Sequence, residues 1–187
     1  MAARKTVDEA AIAAAALRLL QKTAFADLSL AQLARTLKTS EAALSLNTTD
    51  DLLPLLVRHV DAAMERETIS ANDTPTDALF ALLMARTDAL QAHREAYVNI
   101  LGYARAHPAS WHIFMTSLYD SMQQALQQAQ LDAGFPKSAM QAAGLAAVYA
   151  WTLHAWQKDT QADLPATMRA LDQGLRRAAQ VAGFIGL

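Results

Sequence analysis

Five histidines are the first candidates for chemistry in this sequence: His59, His93, His107, His112 and His154. None stands at close metal-ligand spacing from an acidic partner, and the chain has no cysteine to supply a thiolate. There is no G-x-S-x-G elbow to present a nucleophile and no glycine-rich loop to cradle a phosphate. The expectation is a protein that is not an enzyme, with no catalytic residue, no metal ligand and no cofactor. A second set of residues has the chemistry of binding. Tyr97, Trp111, Met115, Tyr119, Tyr149 and Trp156 combine bulk, polarisability and a few polar tips. Such residues line pockets between helices, and they equally build ordinary cores. They are the candidate walls of a pocket for an apolar small molecule or lipid, with His112 and His154 as further polar tips. Almost no charge is expected inside, since Arg105 and Lys158 are expected to face solvent.

These side chains need a scaffold. The 187 residues are 53% hydrophobic and 18% charged, a composition that buries a core rather than staying disordered. A net charge of −2 excludes a general basic coat, so any basic patch must be local. Asp8 and Glu9 stand where a signal peptide would carry its apolar run. The longest apolar stretch, "AAGLAAVYAWTLHAW", falls short of the roughly 20 residues that span a bilayer. A soluble, cytoplasmic protein is expected.

Alanine, leucine, glutamine and methionine are abundant, and no run shows sustained β-branched alternation. The pattern predicts an all-α fold of about nine helices. The first covers Val7 to Lys22. The second follows Ser29 as N-cap and ends near Leu37, and the third covers Glu41 to Leu46. A long fourth helix, with Pro54 in its first turn, runs to about Thr68. Thr74, Pro75 and Asp77 form a cap, a first-turn proline and a capping-box acid for the fifth. Further helices are predicted over 75–92, 95–106, 108–132, 137–157 and 164–183, punctuated by Pro108, Gly134–Pro136 and Pro165.

The first fifty residues resemble the TetR family of bacterial regulators. The resemblance rests on the Ala-rich "AIAAAALRLL", the aromatic Phe25, "LSLAQLA" and Ser40 opening helix three. It implies a helix-turn-helix DNA-binding domain over residues 1–47 and a ligand-binding and dimerisation domain over 48–187. Farther on, "RTDALQAHREAYVNIL", "ARAHP" and "LPATMRALDQGLRRA" resemble a branch that shares features with the lipid-binding accessory protein of coenzyme Q biosynthesis. The implied DNA-contacting residues are Arg4, Lys5, Lys38, Thr39, Ser40, Ser45, Asn47 and Thr48. Arg4 and Lys5 suit either a minor-groove arm or a solvated terminus. The family usually carries a Tyr, a His–Phe pair and a Lys after helix three. Here Ser45 stands at the Tyr position, Asn47 near the His position, and no basic residue lies between Lys38 and Arg58. Lys38 replaces the usual glycine of the helix two–three turn. Residues 1–56 hold six basic and six acidic side chains, so phosphate attraction is reduced. Asp50 and Asp51 are expected near the phosphates, opposing them.

The last two helices carry apolar stripes on two faces, which suggests burial against their own domain and against a partner. The resemblance implies a homodimer through these helices. The candidate interface is Met140, Gly144, Val148, Trp151, Met168, Leu171, Gly174 and Leu175, with a small-residue stripe at Ala170, Gly174 and Ala178 that permits close approach. The tail after Arg176 and Arg177, with Phe184, Ile185 and Leu187, suits packing onto the body or touching a membrane surface. Two functions follow from the resemblance. One is a homodimeric, ligand-responsive repressor bound to operator DNA. The alternative is a DNA-independent binder of a lipid or isoprenoid.

Overall fold

The computed structural model describes residues 7–70, 72–131, 134 and 136–182. Arg4 and Lys5, and the tail residues Phe184, Ile185 and Leu187, lie outside them. Among the described residues run nine α-helices and two short 3-10 turns, with no strand. The helices are α1 (Glu9–Leu20), α2 (Leu30–Thr36), α3 (Glu41–Leu44), α4 (Leu52–Arg66), α5 (Pro75–Gln91), α6 (Arg94–Ala106), α7 (Pro108–Gln128), α8 (Lys137–Lys158) and α9 (Pro165–Ala182). The 3-10 turns are Phe25–Asp27 and Thr49–Asp51. The chain is all-α, as its composition predicts.

Local chemistry sets the boundaries. Ser29 caps α2 in a reciprocal box: its Oγ accepts from the Gln32 N–H at 3.2 Å, and Gln32 Oε1 accepts from the Ser29 N–H at 2.9 Å. Thr74 Oγ1 accepts from the Asp77 N–H at 3.2 Å and donates to Asp77 Oδ2 at 2.6 Å, opening α5. Pro75, Pro108 and Pro165 are each the first residue of a helix, where a missing N–H has no partner to lose. Helix α3 is shorter than expected. It stops at Leu44, because Ser45 turns into the left-handed region at φ 56°.

The chain forms two compact units. One comprises Met1–Val60 with Ala89–Ser117, the other Asp61–Asp88 with Leu118–Leu187. In the first unit α1 presents Ile12, Ala16, Leu17 and Leu20 to the interior, and all four are buried. Helix α6 packs on α1 and on the Phe25–Asp27 turn, where Phe25 and Tyr103 bring their rings to 4.6 Å. The Tyr97 hydroxyl donates to the Leu56 carbonyl at 3.0 Å. In the second unit α8 and α9 pack along one another. Gly174 makes that approach close: a Cβ there would lie 2.6 Å from Cγ1 of Val148. Asp159, at the end of α8, is buried and accepts from the Thr167 N–H at 2.9 Å and from Thr167 Oγ1 at 3.0 Å. One carboxylate thereby satisfies an orphan amide of the first turn of α9.

Candidate functional site

The helix-turn-helix lies within the first unit. Helix α2 ends in a Schellman motif. The Lys38 N–H donates to the Arg35 carbonyl at 3.1 Å and the Thr39 N–H to the Ala34 carbonyl at 2.9 Å. Lys38 occupies the position where glycine is usual, at φ 53°, a conformation that costs a side-chain-bearing residue about 1 kcal/mol. The turn delivers Ser40 to the start of α3. That helix is a single turn held by the buried Ala43 and Leu44. Lys38, Ser40, Ser45, Asn47 and Thr48 are exposed, and Thr39 is half-buried. All but Lys38 offer neutral donors.

The acids that follow are committed internally. Asp51 Oδ2 accepts from the Asn47 N–H at 2.7 Å and from the Thr48 N–H at 3.0 Å. These backbone bonds hold its carboxyl below the ordinary 3.8 of an aspartate. Asp50 Oδ2 accepts from Ser110 Oγ at 2.8 Å. The amides of Asn47 and Thr48 therefore already bind an anion, the Asp51 carboxylate. The expectation places this acidic pair near the phosphates and does not foresee that use, although Thr48 and Asp51 stand at capping-box spacing.

The six candidate pocket residues divide between the units. Tyr97, Trp111 and Met115 belong to the first, and Tyr119, Tyr149 and Trp156 to the second. Tyr97, Tyr149 and Trp156 are buried; Trp111, Met115 and Tyr119 are half-buried. Trp111 stacks on Phe114 with centroids 5.7 Å apart, and the Tyr119 hydroxyl accepts from Gln123 Nε2 at 3.3 Å. His112 and His154 are exposed, as are Arg105 and Lys158.

Almost no charge is expected inside, but Arg86 is 1% exposed. Its Nε donates to Asp61 Oδ1 at 2.7 Å, and Ser121 Oγ donates to Asp61 Oδ2 at 2.7 Å. The guanidinium carbon sits 4.8 Å from the centre of the Tyr149 ring. Thr87 Oγ1 gives its proton to the Leu83 carbonyl at 2.7 Å, so the Tyr149 hydroxyl must donate to Thr87 Oγ1 across 3.0 Å. Burial disfavours the charge on Arg86, but Tyr149 and Asp61 outweigh it and hold the pKa above the usual guanidinium value. A sequence signal existed: Leu79, Leu82, Leu83, Arg86 and Leu90 share one helical stripe, with Arg86 on its apolar face.

The expected interface residues on α8 and α9 face two ways. Leu171, Gly174 and Leu175 are buried in their own unit, and Gly144 and Val148 are half-buried. Met140, Trp151 and Met168 are exposed, at 65%, 48% and 41%. Gly144, Ala147, Val148, Trp151, Gly174, Arg177 and Ala178 line a groove of about 340 Å³, with the Arg177 guanidinium 5.4 Å from the Trp151 ring centre. A second cleft of about 360 Å³ is lined by Thr76, Asp77, Phe80, Met168, Arg169, Asp172 and Leu175. Among the described residues no helix is long and apolar enough to cross a membrane. No cluster of three His, Asp or Glu that could hold a metal occurs among them.

No family model matches the sequence, and a search of curated proteins finds no match. Solved structures do match. A TetR transcriptional regulator from Nitrosomonas europaea superposes with a TM-score of 0.73 over 92% of this chain and 98% of its own, at 21% sequence identity. The described helices of this chain thus adopt the fold of a TetR transcriptional regulator.

Proposed function

We propose that the chain is a homodimeric transcriptional regulator of the TetR type, a cytoplasmic repressor whose DNA binding responds to an apolar small molecule or lipid. The observation that carries this reading is the helix-turn-helix itself, on a fold shared with a TetR regulator: a Ser29-capped α2, a tight Lys38 turn and an exposed α3 start. Residues 1–47 are assigned to reading DNA and 48–187 to ligand binding and dimerisation. Lys38, Thr39, Ser40, Ser45, Asn47 and Thr48 would meet phosphates or bases. The exposed Met140, Trp151 and Met168 would bury against a second copy. No catalytic, metal or cofactor chemistry is assigned.

A second reading is supported by Asp51, whose carboxylate occupies the Asn47 and Thr48 amides. A chain with so few free phosphate donors suits a DNA-independent binder of a lipid or isoprenoid, resembling the coenzyme Q accessory protein. The deciding experiment is binding to DNA flanking the chain's own gene, at low salt and then across a salt series. The first reading expects weak, saturable binding with a shallow log–log slope, since each neutralised phosphate adds only about 0.9. Absence of binding to any such fragment at low salt rejects it. In that case native mass spectrometry and solvent extraction of freshly purified protein should find a bound apolar molecule.

A further inference from the structure

The turn between α1 and α2 is not closed by its own hydrogen bonds alone. Helix α1 ends at Leu20, and the last carbonyls of a helix lack intrahelical partners. The Phe25 N–H opens the next 3-10 turn and is likewise without a local acceptor. The Leu20 and Thr23 carbonyls and the Phe25 N–H converge on one side chain more than seventy residues away, Asn99 on α6. Asn99 Oδ1 accepts from the Phe25 N–H at 3.0 Å. Asn99 Nδ2 donates to the Thr23 carbonyl at 2.9 Å and, more weakly, to the Leu20 carbonyl at 3.4 Å. Both amide hydrogens and the amide oxygen are in use, so no other residue type of similar size reproduces the set. The Phe25–Tyr103 ring contact lies beside it on the same pair of elements.

We propose that Asn99 is a positioning residue, a polar latch through which α6 holds the α1–α2 turn and hence the helix-turn-helix in place. The turn and α6 move together while the latch is closed. When it opens, the Leu20 and Thr23 carbonyls and the Phe25 N–H lose their bonds to it at once. This assignment rests on the helix-turn-helix being the working end of the molecule, but the latch itself is testable without DNA.

The test is hydrogen–deuterium exchange of the full chain, comparing the unmodified protein with Asn99→Ala and Asn99→Asp. Aspartate keeps the acceptor for Phe25 but sets a carboxylate against the Leu20 and Thr23 carbonyls. Leaving these part-buried backbone groups unpaired should speed exchange over residues 20–37 by about tenfold or more in both variants. Exchange in the Asp61–Asp88 and Leu118–Leu187 unit should be unchanged. Thermal unfolding is recorded in parallel as a check on the global fold. Unchanged exchange over 20–37 would overturn the latch. So would a uniform acceleration across the whole chain, because that is the signature of general destabilisation. A protein that binds no DNA yet shows the local acceleration keeps the latch and rejects the regulator reading, so the two failures are distinct.

Discussion

Replacing Gly174 with alanine puts two effects of opposite sign in competition. Alanine is the better helix former by about 1 kcal/mol, so at an exposed mid-helix site the change would stabilise. Gly174 is not such a site. Its added Cβ would lie 2.6 Å from Val148 Cγ1, well inside contact distance. Val148 cannot easily yield, since a β-branched side chain in a helix has one strongly preferred rotamer. Overpacking of this kind costs about 1–3 kcal/mol. The expected net is a destabilisation of about 0–2 kcal/mol, which at this chain length lowers Tm by a few degrees. Val148→Ala removes the obstruction, so the double variant should recover the propensity gain. Urea unfolding of both single variants and the double, followed by far-UV circular dichroism, gives the coupling. A value of about 1–2 kcal/mol is expected for residues in direct contact. A Gly174→Ala variant more stable by about 1 kcal/mol, with no coupling to position 148, would refute the close contact. The notch faces Val148 of the same chain, so this substitution tests the α8–α9 packing and not the dimer.

The proposed dimer is better tested at Trp151, which lines the groove and is 48% exposed. Trp151→Glu should raise the dimer dissociation constant by at least about thirtyfold, the scale of an interface hot spot, with little change in monomer stability; sedimentation velocity over a dilution series measures it. At Arg86, substitution by methionine leaves the buried Asp61 carboxylate without its cation. The expected loss is about 3–5 kcal/mol in urea unfolding, and a loss under 1 kcal/mol would mean the pair is not buried as described. For Asp159, burial opposes the charge, but hydrogen bonds led by the Thr167 N–H outweigh it and place the folded pKa below 3.8. Its contribution is therefore complete above the unfolded value of 3.8 and is lost as pH falls through the folded one. Asp159→Asn should lower stability at pH 7 and flatten the decline below about pH 4. An unchanged acid limb in urea midpoints would contradict that.

Much of this architecture was legible because it is written in local chemistry. Ser29 with Gln32, Thr74 with Asp77, and the three helix-opening prolines mark boundaries that depend on neighbours within a few residues. Helix α3 was read two residues too long because nothing in "EAALSL" forbids continuing. Ser45 adopts φ 56°, which few side-chain-bearing residues do. Leu164 is a similar case, at φ 48° with its side chain buried, where the sequence suggested a regular helix start. Of the DNA-contacting residues expected from the sequence, those described are exposed apart from the half-buried Thr39. What the sequence hid was long-range pairing: Asp50 with Ser110, Asn99 with the α1–α2 turn, and Arg86 with Asp61 and Tyr149. The Arg86 stripe was visible, and it went unread because arginine is almost never fully buried without a partner.

The buried Arg86 cluster has a consequence for how the second unit finds its packing. Its members sit on α4, α5, α7 and α8: Asp61, then Arg86 and Thr87, then Ser121, then Tyr149. The buried residues of this unit are largely leucine and alanine, which carry no directional bonds of their own. A slide of about 5.4 Å in any one helix would carry a charged or hydrogen-bonding group away from the partners described here. The cluster therefore disfavours other alignments of these helices. Apolar replacement of both Arg86 and Asp61 should yield a chain that still collapses and stays helical but populates more than one side-chain arrangement, visible as broadened or doubled methyl resonances. A single sharp set of resonances in that double variant would show that apolar packing alone fixes the alignment.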